Sequence, residues 1–403
     1  MMDSLTLERY ARVLVWGMKA ARREPLAPGA VILVRADLGA VDLACAVQRE
    51  LMRQEMHAVV RLMPPSTLER GFYEEAQDRH LAFRVPGDQE LFQNLDGLIS
   101  LLAPDSNTHL RGIAPAKIAA MARTRKYLRD IMETREAQGV FGWTLCLMPT
   151  DALARDAGLS PEEYEAEIVR AAYLDDADPV ARWEATYRQA QRVKAWLNAL
   201  DLVRVQVRSA SMDLTVGIGA LRQWIGVTGH NIPSFELFLS PDCRETRGVY
   251  YADQPSYRSG NLVRGVTLQF EDGRCVAVRA EEGEEFVRSQ LAMDEGASRL
   301  GEFSLTDKRF SPIRRFMAHT LFDENFGGEH GNCHIAVGAS YSDTYAGDPH
   351  ELTAQRRAEL GFNDSALHWD LVNTEPKTVI GTRRNGEQVL VYENGMFACE
   401  LDG

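Results

Sequence analysis

The sequence predicts an α/β protein: an open, mainly parallel α/β N-terminal domain over about residues 1–200, followed by a mixed α+β C-terminal domain over 201–403. Three features lead there. Short apolar, β-branched runs alternate with helical periodicities through the first half. From Leu202 onward the texture changes to strictly alternating polar and apolar residues, the mark of half-exposed strands. Asp272-Gly273, set between two such runs, is the signature of a tight hairpin turn and hence of antiparallel pairing.

The elements follow in order. Ser4 is placed to cap a first helix in which Leu5, Tyr10, Val13, Leu14 and Met18 recur at roughly helical spacing to about Arg22. Gly29 ends that pattern, and Val31 to Val34 reads as a strand buried on both faces. A helical period from Val41 to Arg53 leads into a second apolar run, Ala58 to Met63. The right-handed crossover rule makes those two strands parallel neighbours in one sheet. Leu98–Leu102 and Trp143–Met148 extend the same sheet, with a long helix from Ala114 to Glu136 between them. No glycine-rich phosphate loop follows any of these strands, so they read as scaffold and not as a nucleotide site. Ser160-Pro161-Glu162-Glu163 opens another helix, and a further one runs from about Pro179 to Leu200. Beyond it lie the alternating runs Val203–Arg208 and Met212–Val216, and the hairpin Leu262–Phe270 with Arg274–Val278.

Composition excludes several classes. With 45 basic against 58 acidic residues and a net charge of -13, phosphate backbones and anionic lipid surfaces repel the chain, so neither nucleic acid nor membrane is expected as a partner. The six cysteines are dispersed and lack C-x-x-C pairs, which reads as thiols in a reducing compartment. Asp3, Glu8, Arg9, Arg12 and Lys19 interrupt the N-terminal stretch, unlike a signal peptide, and no apolar run of about 18 residues occurs. A soluble, cytoplasmic protein is expected.

Chemistry-bearing residues concentrate after residue 230. Glu236 and Glu302 each sit in short apolar segments, where a lone charge needs a reason; singly, each is more readily read as a solvated side chain. Glu302 reads as part of a glycine-preceded turn into Phe303. His368 and Asp370 stand two apart, which in a strand points both at one side; alone, that pair also describes a histidine oriented by a carboxylate. His330 and His334 have the i, i+4 spacing of a helical zinc pair, but Gly327, Gly328 and Gly331 argue against a helix, leaving His334 as the candidate and His330 in a supporting place. Cys333 reads as packing beside a carboxylate-rich set. His230, His319 and His350 default to structural roles.

In combination these segments resemble the aminopeptidase T and aminopeptidase S family of dinuclear metallopeptidases. Asn231, Pro233, Glu236, Phe238 and Pro241 match the family's first glutamate segment, and Leu300-Gly301-Glu302-Phe303 its second. Asp323-Glu324-Asn325, Cys333 to Gly338 and Tyr341 match the third, and His368-x-Asp370 the last. The resemblance implies that Glu236, Glu302, His334, Tyr341, His368 and Asp370 hold two divalent ions (zinc, cobalt or manganese), with Glu302 bridging. It further implies Glu324, in preference to Glu329, as the proton shuttle, and Tyr341 as a weak ligand or an oxyanion donor. The implied activity is removal of the N-terminal residue from short peptides with a free N-terminus, by a homodimer. Two other readings stay open: another metal-dependent dipeptidase or amidohydrolase, and a non-catalytic, metal-stabilised dimer that binds peptides.

Overall fold

A computed structural model describes residues 2–400. The chain sorts into two compact units. One comprises the residues up to Trp183 together with Thr228–Pro233 and Arg258–Gly260; the other comprises Glu184–Val227, Ser234–Tyr257 and the chain from Asn261 onward.

The first unit is built on a five-stranded parallel sheet in the order His57–Leu62, Val31–Ala36, Gly97–Leu102, Gly142–Leu147, Asn231–Ile232. Val31–Ala36 and Gly97–Leu102 lie inside it and are almost wholly buried, as their unbroken apolar runs require. His57–Leu62 is the edge, and it is correspondingly more exposed. The crossover between the two leading strands is the helix Val41–Arg53, with Leu43, Val47 and Leu51 turned inward at helical spacing. The first helix, Ser4–Ala20, starts one residue earlier than its sequence suggests: Asp3, not Ser4, is the cap, and its carboxylate accepts from the Thr6 amide at 2.8 Å. Tyr10 is fully buried on that helix, and its hydroxyl donates to the Leu147 carbonyl at 3.1 Å. Ser160 and Glu163 form a reciprocal capping box at the helix Pro161–Ala171.

The second unit holds two main antiparallel sheets, apart from a two-stranded sheet of Ser256–Arg258 and Asn261–Val263. The larger has eight strands, ordered Arg274–Arg279, Val266–Glu271, Thr246–Ala252, Asp213–Gly217, Leu202–Arg208, Thr378–Arg383, Gln388–Glu393 and Met396–Phe397. Asp272 and Gly273 both adopt positive φ, 47° and 78°, making the tight turn of the first hairpin. The run from Leu262 to Phe270 is two strands and not one, because Gly265, at φ 58°, breaks it between Asn261–Val263 and Val266–Glu271. Among the described residues no helix is long and apolar enough to cross a membrane, and all six cysteines are free thiols.

The smaller sheet matters most. Its four strands are ordered His368–Asn373, Asn332–Gly338, Leu300–Thr306, Glu236–Leu239, and every residue of the two middle strands is buried. Side chains alternate between its faces. Leu237, Phe303, Leu305, Ile335, Val337 and Leu371 make one face a buried apolar layer. The residues between them make the other face polar, and the register decides which of those meet.

Candidate metal centre

Registered neighbours in a sheet point to the same side. Thr306 lies opposite Glu236, Ser304 opposite both Phe238 and His334, Glu302 opposite Ala336, and Ala336 in turn opposite Asp370; Gly338 lies opposite His368. Glu236, Glu302, His334, His368 and Asp370 therefore project from one face, drawn from all four strands. Small residues at the intervening places, Ser304 and Ala336, leave room above the sheet. Glu302 sits within a strand, not in a turn as its sequence suggests. Gly301 forms a bulge just before it, where a Cβ would collide with the carbonyls of Gly338 and Ala339.

The side chains converge closely. His334 Nε2 lies 3.0 Å from Glu236 Oε2 and 3.1 Å from Glu302 Oε1. The other oxygen of Glu302, Oε2, faces His368 Nε2 at 3.8 Å, and His368 Nε2 lies 3.5 Å from Asp370 Oδ1. Two triads result, Glu236–Glu302–His334 and Glu302–His368–Asp370, and within each the nearest donor atoms lie within 4.8 Å of one another. Glu302 belongs to both and is 3% exposed.

Outer hydrogen bonds fix how these groups point. His368 Nδ1 donates to the Ala339 carbonyl at 2.9 Å, so Nε2 is the nitrogen turned to the carboxylates. Asn332 spends its amide hydrogens on the carbonyls of Glu324 (2.9 Å) and Phe326 (2.7 Å), leaving Oδ1 to accept from His334 Nδ1 at 3.4 Å. Ser304 Oγ donates to Glu236 Oε2 at 3.1 Å.

The electrostatics describe crowded negative charge. Burial pushes the Glu302 carboxyl up to about 7, helped by the charges of Glu236 and Asp370 and opposed by the hydrogen bond from His334. Glu324 is raised well above the usual carboxylate range by burial and then by Glu236 and Asp370. Burial works against a charged His334, but its hydrogen bonds to Glu236 and Glu302 win and hold it well above an ordinary imidazole. His368 likewise rises to about 9 against its burial, chiefly through Asp370. Positive charge is thus favoured on the ground between the carboxylates. Oxygen and imidazole donors packed this tightly, with carboxylates raising one another, are a set that divalent ions complement, so the residues fit a metal.

The remaining candidates fall as follows. Glu324 is buried at the end of the short helix Thr320–Asp323, whereas the Glu329 side chain is 86% exposed. Asp323 is structural, its carboxylate accepting the amides of Met317 (2.7 Å) and His319 (2.9 Å). Tyr341 packs its ring 4.7 Å from that of His368, and its amide donates to Ser240 Oγ at 2.8 Å. Burial and then the charges of Glu302 and Asp370 push its phenol well above the usual range. His330 pairs with exposed Glu329 at 3.9 Å. Cys333 is fully buried one residue before His334, on the apolar side, where burial pushes its thiol up to about 11. His230 meets Glu136 at 2.8 Å, and His319 caps the helix at Thr320. Sequence reading missed Ser304, Asn325 and Asn332. Ser304 shares a face with Glu302 by strand alternation, but that follows only once Glu302 is placed in a strand, and the asparagines carry no such local signal.

Comparison with known proteins agrees with the geometry. Residues 3–397 match the thermophilic metalloprotease (M29) family, and the chain belongs to it. It is 31% identical to aminopeptidase T of Thermus thermophilus over 80% of this chain and 82% of that one. It is 29% identical to aminopeptidase 2 of Geobacillus stearothermophilus over 81% and 82%. The solved structure of wild-type AmpT from Thermus thermophilus superposes with a TM-score of 0.80 at 26% identity, covering 98% of this chain and 99% of that one. The protein is a metallo-aminopeptidase, a hydrolase of peptide bonds that works with divalent metal.

Proposed function

We propose that the centre holds two divalent ions and that the enzyme removes the N-terminal residue from short peptides. The observation that carries this is Glu302: its two carboxylate oxygens face different triads, as a bridging ligand's must. Glu236 and His334 complete one side, His368 and Asp370 the other, and Tyr341 stands at the rim. Ions held there supply Lewis-acid polarisation of the scissile carbonyl and acidify the attacking water. The chain's own part is positional and proton-handling. Glu324, acting as the carboxylate, takes a proton from water, holds it readily because burial and its carboxylate neighbours make it more basic, and returns it to the leaving amine. The Tyr341 hydroxyl donates to the oxyanion or binds weakly as a ligand. Ser304, Asn332 and the Ala339 carbonyl hold Glu236, His334 and His368 in their working orientations. Zinc, cobalt and manganese all suit the donor set. We further infer a homodimer, and a reducing, cytoplasmic setting that accords with six free thiols.

The test is mass-spectrometric cleavage of a matched pair of leucine-led peptides, one free and one N-acetylated, by protein stripped of metal and resupplied with zinc, cobalt or manganese. Metal-dependent loss of one residue from the free peptide alone is expected. Cleavage of both would indicate a different hydrolase, and cleavage of neither a binding protein.

A further inference from the structure

We propose that Asn325 is a positioning residue whose side-chain amide ties the backbone carrying Glu236 to the carboxylate of Glu324, so that one side of the centre and the proton shuttle keep a fixed relation. The inference rests on the roles given above to Glu236 and Glu324.

Asn325 is fully buried, and all four of its hydrogen-bonding positions are engaged. Its Oδ1 accepts the backbone amides of Phe235 (2.5 Å) and Glu236 (3.1 Å). Its Nδ2 donates to the Leu321 carbonyl at 3.0 Å and to Glu324 Oε1 at 3.4 Å. Two backbone N–H groups on one side and two oxygens on the other leave a single amide orientation, since the flipped form would oppose donor to donor and acceptor to acceptor. The backbone of Glu324 is separately fixed, because its carbonyl accepts from Thr306 Oγ1 (3.2 Å) and Asn332 Nδ2 (2.9 Å). With the main chain held, the direction of the carboxylate is what the Asn325 amide acts on. A buried network satisfied this fully is stiff, and stiffness between a ligand-bearing strand and a proton carrier is what proton transfer at a set distance needs.

Asn325→Asp divides the two halves of the role. It keeps an oxygen for the amides of Phe235 and Glu236 but presents a second oxygen to Leu321 and Glu324. Asn325→Ala removes both halves. The experiment measures kcat and KM on a free leucine-led peptide for the zinc-loaded wild type, Asn325→Asp, Glu324→Gln and the double variant, alongside calorimetric zinc titration of each metal-free protein and of Asn325→Ala. Asn325→Asp is expected to lower kcat about tenfold with KM nearly unchanged, and to add nothing to Glu324→Gln, since the residue acts through that carboxylate. Zinc affinity should hold in Asn325→Asp and fall roughly tenfold in Asn325→Ala. A folded, zinc-loaded Asn325→Asp with kcat within about twofold of wild type, or a kcat loss repeated in full on the Glu324→Gln background, overturns the proposal. Should Asn325→Asp fail to fold, Asn325→Ala is read in its place, and wild-type zinc affinity together with a kcat within about twofold of wild type overturns the proposal. A fully active Glu324→Gln marks a failure of the underlying assignment and not of Asn325.

Discussion

Glu302 and His334 stand on adjacent middle strands of a four-stranded sheet, Glu302 Oε1 lying 3.1 Å from His334 Nε2. Ser304, not Glu302, is the registered neighbour of His334, so the contact runs diagonally across the sheet. The bulge at Gly301 accompanies that offset and leaves the second oxygen of Glu302 turned to His368 at 3.8 Å.

Ser304 reaches Glu236 Oε2 at 3.1 Å from a fully buried position. Ser304→Ala should fold normally and lose metal affinity by about 10-fold or more, as removal of an outer hydrogen bond typically does. Calorimetric titration of metal into the stripped variant checks it; unchanged affinity would show that the hydroxyl does not orient the carboxylate.

Glu324→Gln preserves shape while abolishing proton exchange. The expected result is a kcat lower by about 100-fold or more at nearly constant KM and metal content, within the range general acid–base groups contribute. Steady-state kinetics paired with elemental analysis decides.

Tyr341→Phe separates two roles for the hydroxyl. An oxyanion donor predicts a kcat loss of roughly 100-fold with full metal content. A ligand predicts weaker metal binding in the titration, before any substrate is added.

Lys377 is buried, and burial lowers its ammonium to about 8 from an ordinary 10.5, against the opposing charges of Cys333, Asp253 and Glu375. The folded pKa lies below the unfolded one, so between those values the unfolded chain binds more protons and stability rises with pH. The cost of the buried charge is therefore complete below about pH 8 and relieved towards 10.5. Lys377→Met should raise the unfolding free energy at pH 7 by up to about 3 kcal/mol, a gain that shrinks as pH climbs through that window. Urea unfolding of both proteins at pH 7 and pH 10 measures it; a gain independent of pH would assign the effect to packing.

How much of this was legible in the sequence depended on the range of the interactions. Val31–Ala36, the helix Val41–Arg53 and His57–Leu62 follow from local periodicity, and their parallel pairing from a chirality rule. His368 and Asp370 share a face because alternation in one strand is also local. The Glu302 strand is not legible locally because Gly301 reads as a turn, and only pairing with Asn332–Gly338 shows it to be a bulge. Asn231–Ile232 is too short to signal a strand, yet it joins the edge of the parallel sheet beside Gly142–Leu147. Asn325 was visible beside Glu324, but its partners at Phe235 and Glu236 lie about 90 residues earlier, at a distance no periodicity spans.

The most direct test of the shared carboxylate is calorimetric titration of zinc into metal-free wild type and Glu302→Ala, with elemental analysis of each product and turnover of a free leucine-led peptide. Two ions per chain and activity are expected in the wild type, and loss of both the second ion and turnover in Glu302→Ala. A wild type saturated and fully active with one ion, or a Glu302→Ala protein that keeps two ions and its activity, contradicts the bridging role of Glu302.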